Sequence, residues 1–203
     1  MKRKEILNWV LCIVIAISIA LLIRHFLIEI VKVEGVSMSP TLSTGERLII
    51  SKIHSKKEWE RNDIIVFEAP TEGGENNTIL ASYEKPNWNI FEKFLYSVLE
   101  INQKSYIKRI IAIAGDKVKI ENGEVFVNGE KLEESYLEEG IKTEVSKSNL
   151  SEEFTVPEGS VFVLGDNRKS SKDSREFGCI PVSKIKGKVV FRIFPFTRLK
   201  NGR

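Results

Sequence analysis

The sequence predicts a mainly β fold behind one N-terminal membrane-spanning helix. Three observations carry this expectation. An uncharged apolar run opens the 203-residue chain. Short β-branched runs bounded by Gly, Asn or Pro fill most of the remainder, and Asn-Gly pairs flank one of them. With 42% hydrophobic and 29% charged residues, the chain suits one modest folded domain beyond the apolar run.

From Ile6 to Ile23 the chain reads ILNWVLCIVIAISIALLI, preceded by Lys2, Arg3 and Lys4. At about 1.5 Å per residue this stretch spans roughly 27 Å, close to the hydrocarbon thickness of a bilayer. Phe26, Leu27 and Ile28 extend it if Arg24 snorkels. A signal anchor is therefore expected over residues 6 to 28, with residues 1 to 5 in the cytoplasm and a folded domain over 32 to 203 on the outer face, because basic flanks stay inside. A cleaved secretory signal fits less well. Ser18-Ile19-Ala20 lies mid-run, and Arg24, His25 and Phe26 stand where small residues are needed.

The expected strands are ERLIISKI (46 to 53), DIIVF (63 to 67), SYIKRIIAIAG (105 to 115), DKVKI (116 to 120), VFV (125 to 127), GSVFVLG (159 to 165) and KGKVVFRIF (186 to 194). Asn122-Gly123 and Asn128-Gly129 predict tight turns on either side of VFV. Together these point to an antiparallel sandwich or barrel. Residues 131 to 155 are polar and acidic, and read as a surface excursion or a small β subdomain bounded at 121 and 158. One segment breaks the pattern. In NIFEKFLYSVLEI (89 to 101), Phe91, Phe94, Leu95, Val98 and Leu99 recur at helical spacing, and Asn89 with Glu92 resembles a capping box. This amphipathic helix either covers the β core or, with Trp88, dips into the outer leaflet.

Charge and cysteine content exclude several classes. Of the net charge of +3, +2 falls in the first 31 residues, which leaves no electrostatic case for nucleic acid. Cys12 lies in the apolar run and Cys179 near the C-terminus, so neither an intrachain disulfide nor a Cys/His zinc site is expected. Nothing calls for a metal or an organic cofactor.

Candidate chemistry starts from GVSMSPTL, residues 35 to 42, which sets serines beside the membrane exit. A serine hydroxyl needs a base. His25 sits at the membrane edge, and His54 lies in the polar stretch SKIHSKKE, so a Ser-His-Asp triad is poorly supported. A neutral lysine is the alternative, although only about one in a few thousand is neutral at pH 7 unless burial lowers its pKa. Lys108 interrupts YIKRIIAIAG, where alternation puts Tyr106, Lys108 and Ile110 on one face and Ile107, Arg109 and Ile111 on the other. By itself this fits a buried base or an edge-strand lysine that discourages aggregation. The loop LGDNRKSSKDSREFG (164 to 178) then follows a hydrophobic strand and concentrates Asp166, Asn167, Arg168, Ser171, Asp173, Ser174 and Arg175. Such a loop is either a solvated turn or a site built by hydrogen bonding.

The anchor, SMSPTL, RNDIIVF, YIKRIIAIAGD and GDNRKSSKDSREFG, taken in that order, resemble bacterial type I signal peptidases over nearly the whole chain. The resemblance implies the peptidase fold shared with SOS-repressor peptidases. It implies a membrane-bound serine endopeptidase that removes signal peptides from exported preproteins after Ala-x-Ala-like sites. By resemblance Ser37 is the nucleophile and Lys108 the general base, Ser171 hydrogen-bonds and orients that lysine, Asp173 and Arg175 brace the loop, and Met38 packs near the base. Implied partners are preprotein signal peptides, membrane lipid and the secretion machinery, in a bacterial plasma membrane. Some departures stand out. Gly35 replaces a serine that supplies an oxyanion donor in some members, Asn62 and Ala114 stand where glycine and proline are frequent, and 70 to 104 reads as an insertion.

Rival readings use the same boxes. A self-cleaving SOS-type repressor would carry a DNA-binding domain where this chain has its apolar span. A non-catalytic relative acting as an assembly or binding chaperone would be expected to lack the nucleophile or the base, and here both Ser37 and Lys108 are present.

Overall fold

A computed structural model describes residues 3–53, 59–71, 79–83, 89, 104–145 and 153–194. The apolar run forms helix α1, Arg3–Phe26, whose Arg3–Ile23 stretch has the length and composition to cross a membrane and is buried against no part of the protein. Its end differs from expectation. Ile28, expected in the anchor, instead opens strand β1, Ile28–Lys32, leaving only Leu27 between helix and sheet. Leu27 joins both, since its N–H donates to Ile23 O and its carbonyl accepts from Lys52 N–H.

The remaining strands are β2 (Arg47–Ser51), β3 (Ile64–Glu68), β4 (Ser105–Ile113), β5 (Lys117–Glu121), β6 (Glu124–Val127), β7 (Glu130–Lys131), β8 (Phe154–Thr155), β9 (Ser160–Leu164), β10 (Ile180–Pro181) and β11 (Ile185–Phe194). A seven-stranded sheet runs β1-β2-β11-β3-β4-β9-β10, and a four-stranded sheet runs β7-β6-β5-β8. Every pairing between these strands is antiparallel. Strands β1, β7, β8 and β10 were not expected. The last three are two-residue segments, and β1 is masked in sequence by apolar continuity with the anchor.

The small sheet begins at Lys117, and the expected boundary at residue 121 falls at the end of β5, so β5 joins the small sheet ahead of it. Asn122 and Gly123, and Asn128 and Gly129, all have positive φ, as two-residue hairpin turns between right-twisted strands require. Leu132, Tyr136 and Val145 lie against a core of Val118, Val125, Val127 and Phe162. The expected helix over 89 to 101 lies outside the described residues apart from Asn89. Of the 70 to 104 insertion, the described part docks on the core, with Ala81 N–H donating to Cys179 O. Cys179 is buried, and burial pushes its thiol up to about 12, so it behaves as a small apolar residue.

Candidate active site

The loop between β1 and β2 is pinned by its own apolar residues. Met38 and Leu42 are buried with Leu48, Ile50 and Val66, and Leu42 N–H donates to Met38 O at 2.9 Å. Ser37 is left half-buried at the edge of this plug. Gly35, with φ of 90°, allows the chain to turn into the plug, a conformation that a side chain would strain. This accounts for glycine where a serine donor was considered.

Strand alternation carries Lys108 of β4 toward that loop. Its side chain is buried, with Nζ 2.7 Å from Ser37 Oγ and donating also to Ile107 O at 3.1 Å. The ammonium lies 5.3 Å from the Tyr106 ring. Burial pushes Lys108 from 10.5 down to about 8, against the Asp173 and Asp166 carboxylates, which raise it. A neutral amine held against a serine hydroxyl is thus accessible near neutral pH.

The loop after β9 brings in the other expected residues. A 3₁₀ turn, Arg168–Ser170, is followed by Ser171 and by helix α2, Ser174–Phe177. Asp173 caps α2 and pairs with Arg175 through contacts of 2.8 Å to Nε and Nη2, while its Oδ2 accepts from Gly165 N–H at 3.0 Å. Arg175 Nη2 donates to Arg168 O at 2.7 Å, closing the loop on itself. Ser171 departs from the expectation. It makes no hydrogen bond to Lys108, whose Nζ is taken by Ser37 and the Ile107 carbonyl, and its buried Oγ lies over Gly165 without a partner.

Gly165 is the closest point between the two loops. A Cβ there would stand 2.1 Å from Ser171 Oγ and 2.5 Å from the Ser37 carbonyl oxygen. The Ser171 hydroxyl can rotate away, but the Ser37 carbonyl oxygen and the Ser171 Cβ, 2.6 Å from the added carbon, cannot. We expect Gly165→Ala to push the nucleophile loop off Lys108 and to lower kcat about 10²-fold, with KM on a soluble peptide little changed. Wild-type kcat in the folded variant would show that the loop absorbs the methyl group.

Sequence reasoning missed part of the site. Arg109, fully buried, pairs bidentately with Asp166 at 2.9 and 2.7 Å, and Asp166 Oδ2 also accepts from Thr41 Oγ1 at 2.5 Å. This ion pair ties β4 and the β9 loop to the nucleophile loop. Asn167 adds a second tie: its N–H donates to Ser37 O at 3.0 Å and its Nδ2 to Val36 O at 3.2 Å. An arginine inside an otherwise apolar strand run was the available signal for a buried carboxylate partner. Asn62 supplies a carbonyl to Arg109 from a backbone with φ of 74°, which explains why asparagine serves where glycine is frequent.

A cleft of about 310 Å³ opens beside Ser37 and Lys108, between β1 and the first half of β4. Among the described residues both walls offer free strand edges: β1 pairs only with β2, and β9 pairs with β4 only from Arg109 onward. An extended peptide can add to such edges through its backbone.

Comparison with known proteins shows the family of the chain. The signal peptidase family, peptidase S26, matches residues 6–194. Signal peptidase I of Bacillus licheniformis is 36% identical over 205 residues, covering 98% of this chain and 94% of that protein. Signal peptidase IB of Staphylococcus aureus strain COL is 32% identical over 217 residues, covering 98% and 95% respectively. The crystal structure of a signal peptidase I from Enterococcus faecalis V583 covers 67% of this chain and all of that one, at 26% identity and a TM-score of 0.44.

Proposed function

This chain belongs to the signal peptidase family, serine endopeptidases that remove signal peptides, and from that premise we propose that Ser37 is its nucleophile and Lys108 its general base. The 2.7 Å approach of a buried Lys108 Nζ to Ser37 Oγ carries the assignment. The neutral amine takes the Ser37 proton as Oγ bonds to the scissile carbonyl carbon. It returns that proton to the leaving amine as the C–N bond breaks. Water then attacks the acyl-enzyme, with Lys108 again accepting the proton. Ser37 N–H, which has no acceptor among the described residues, is the proposed donor to the oxyanion. Asp173 and Arg175 hold the β9 loop, and Met38 helps exclude water from the base.

The proposed substrate is an exported preprotein, laid as a strand in the cleft and cut after an Ala-x-Ala-like sequence. Lys2, with Arg3 and Lys4 in the first turn of α1, supports a cytoplasmic N-terminus, with the active site on the outer face. Lipid contact by the domain itself is supported by register. Ile30, Ile49 and Phe191 form one cross-strand row on the outer face of β1, β2 and β11, where Ile30 is 62% and Phe191 64% exposed. The test is cleavage of a purified preprotein with sequencing of the product N-terminus, and kcat/KM followed against pH on a soluble peptide. Because the base must be neutral, kcat/KM is expected to rise about tenfold per pH unit below about 8 and to level above it. A kcat/KM that does not fall between pH 8 and pH 6 would refute Lys108 as the base.

A further inference from the structure

The acidic segment after β7 reads in sequence as a surface excursion or a small subdomain, and each arginine of the site leans on it. Arg109 lies 3.9 Å from the centre of the Tyr136 ring. Arg168 donates through both terminal nitrogens to the Glu134 carboxylate and to Thr143 Oγ1. Arg175 Nη1 donates to Glu144 O at 3.2 Å. Tyr136 O–H donates to Glu134 Oε1 at 2.8 Å, which links the first two contacts. Burial holds the Tyr136 phenol well above its ordinary pKa, so it remains protonated and a donor.

From this geometry we infer that Glu134 and Tyr136 of the inserted subdomain are positioning residues for the nucleophile, acting through Arg168 and Arg109. The inference rests on the Ser37 and Lys108 reading. The route is short. Arg168, its side chain fully buried, spends Nε on Gly165 O at 3.1 Å, and this fixes the turn over 165 to 168. Asn167 in that turn holds the carbonyls of Val36 and Ser37, so it sets the orientation of the Ser37 peptide. Without Glu134 the Arg168 guanidinium is a buried charge lacking its carboxylate, and it must move toward water or toward Asp173. Either movement turns Asn167 away from the Ser37 peptide. Neither wall of the cleft is touched, so the loss falls on the chemical step rather than on peptide binding.

The experiment uses the full chain in detergent with a soluble signal-sequence peptide, measuring kcat and KM separately beside a thermal melt. Glu134→Gln keeps the shape and removes the charge. It is expected to lower kcat by about tenfold or more, up to the roughly 10²-fold that misplacement of a reacting group by an ångström costs, with KM within about twofold. Tyr136→Phe keeps the ring over Arg109 and removes only the hydroxyl, and a smaller, severalfold loss of kcat is expected. Glu124→Gln, at the exposed ion pair with Lys131 in the same subdomain, serves as the control and leaves both constants unchanged. Wild-type kcat in folded Glu134→Gln and Tyr136→Phe overturns the inference. So does a loss that merely follows the unfolded fraction, or a raised KM at constant kcat. Cleavage that persists in Ser37→Ala would overturn the nucleophile instead, so the two failures are distinct.

Discussion

Lys108→Met is expected to eliminate cleavage while making the protein more stable at pH 7. The loss is at least about 10⁴-fold in kcat, the scale on which removing one member of a nucleophile and base unit acts. The gain follows from linkage. Lys108 titrates near 8 in the fold and near 10.5 when exposed, so between those values the unfolded chain binds more protons and stability rises with pH. Below pH 8 the buried lysine therefore costs roughly 3–4 kcal/mol, the free energy that corresponds to lowering its pKa from 10.5 to about 8. Methionine fills nearly the same volume without a charge, so its advantage is full at pH 7 and gone above about pH 10.5. Ser37→Ala is the contrasting variant. It loses cleavage to the same degree but keeps the buried amine, and it gains little stability. Urea unfolding at pH 7 and pH 10.5 beside a preprotein assay distinguishes them. Lower stability of Lys108→Met at pH 7, or turnover in either variant, would refute the dyad as described.

The central strands of this architecture were legible because their side chains obey alternation and their ends carry turn residues. SYIKRIIAI became β4 with Lys108 buried, and the Asn-Gly pairs became positive-φ turns. β1 was hidden because FLIEIVK continues the apolar anchor, and hydrophobicity alone does not say where a helix yields to a strand. The site was legible where one loop supplied both partners, as with Asp173 and Arg175. It was not legible where partners are remote in sequence. Thr41, Arg109 and Asp166 meet only after β4 and β9 pair, and Glu134 looked like one more solvated acid until Arg168 was buried against it. Ser171 shows the converse. Its motif position suggested a hydrogen bond to Lys108, but its buried hydroxyl lies against Gly165 and makes none.

The buried pair of Arg109 and Asp166 gives the largest stability prediction and separates scaffold from chemistry. Arg109→Met leaves Asp166 fully desolvated, with Thr41 Oγ1 as its remaining side-chain donor. Removing one partner of such a pair costs about 3–5 kcal/mol, which for a chain of this size lowers Tm by roughly 10 °C. Replacing both partners, as Arg109→Met with Asp166→Leu, removes the stranded charge, and most of that loss is expected to return. Activity is not expected to return with it. Thr41 then has no carboxylate to hold, and the plug carrying Ser37 loses its ion-pair tie to the strand that carries Lys108, keeping the tie through Asn167. Melting curves for the two single variants and the double variant, read beside kcat on a soluble peptide, separate these effects. A double variant that recovers both Tm and kcat would mean that the ion pair serves folding alone. Recovery of Tm with kcat still depressed would mean that a buried charge pair, weak as a source of stability, is retained because it fixes the distance across which the proton moves.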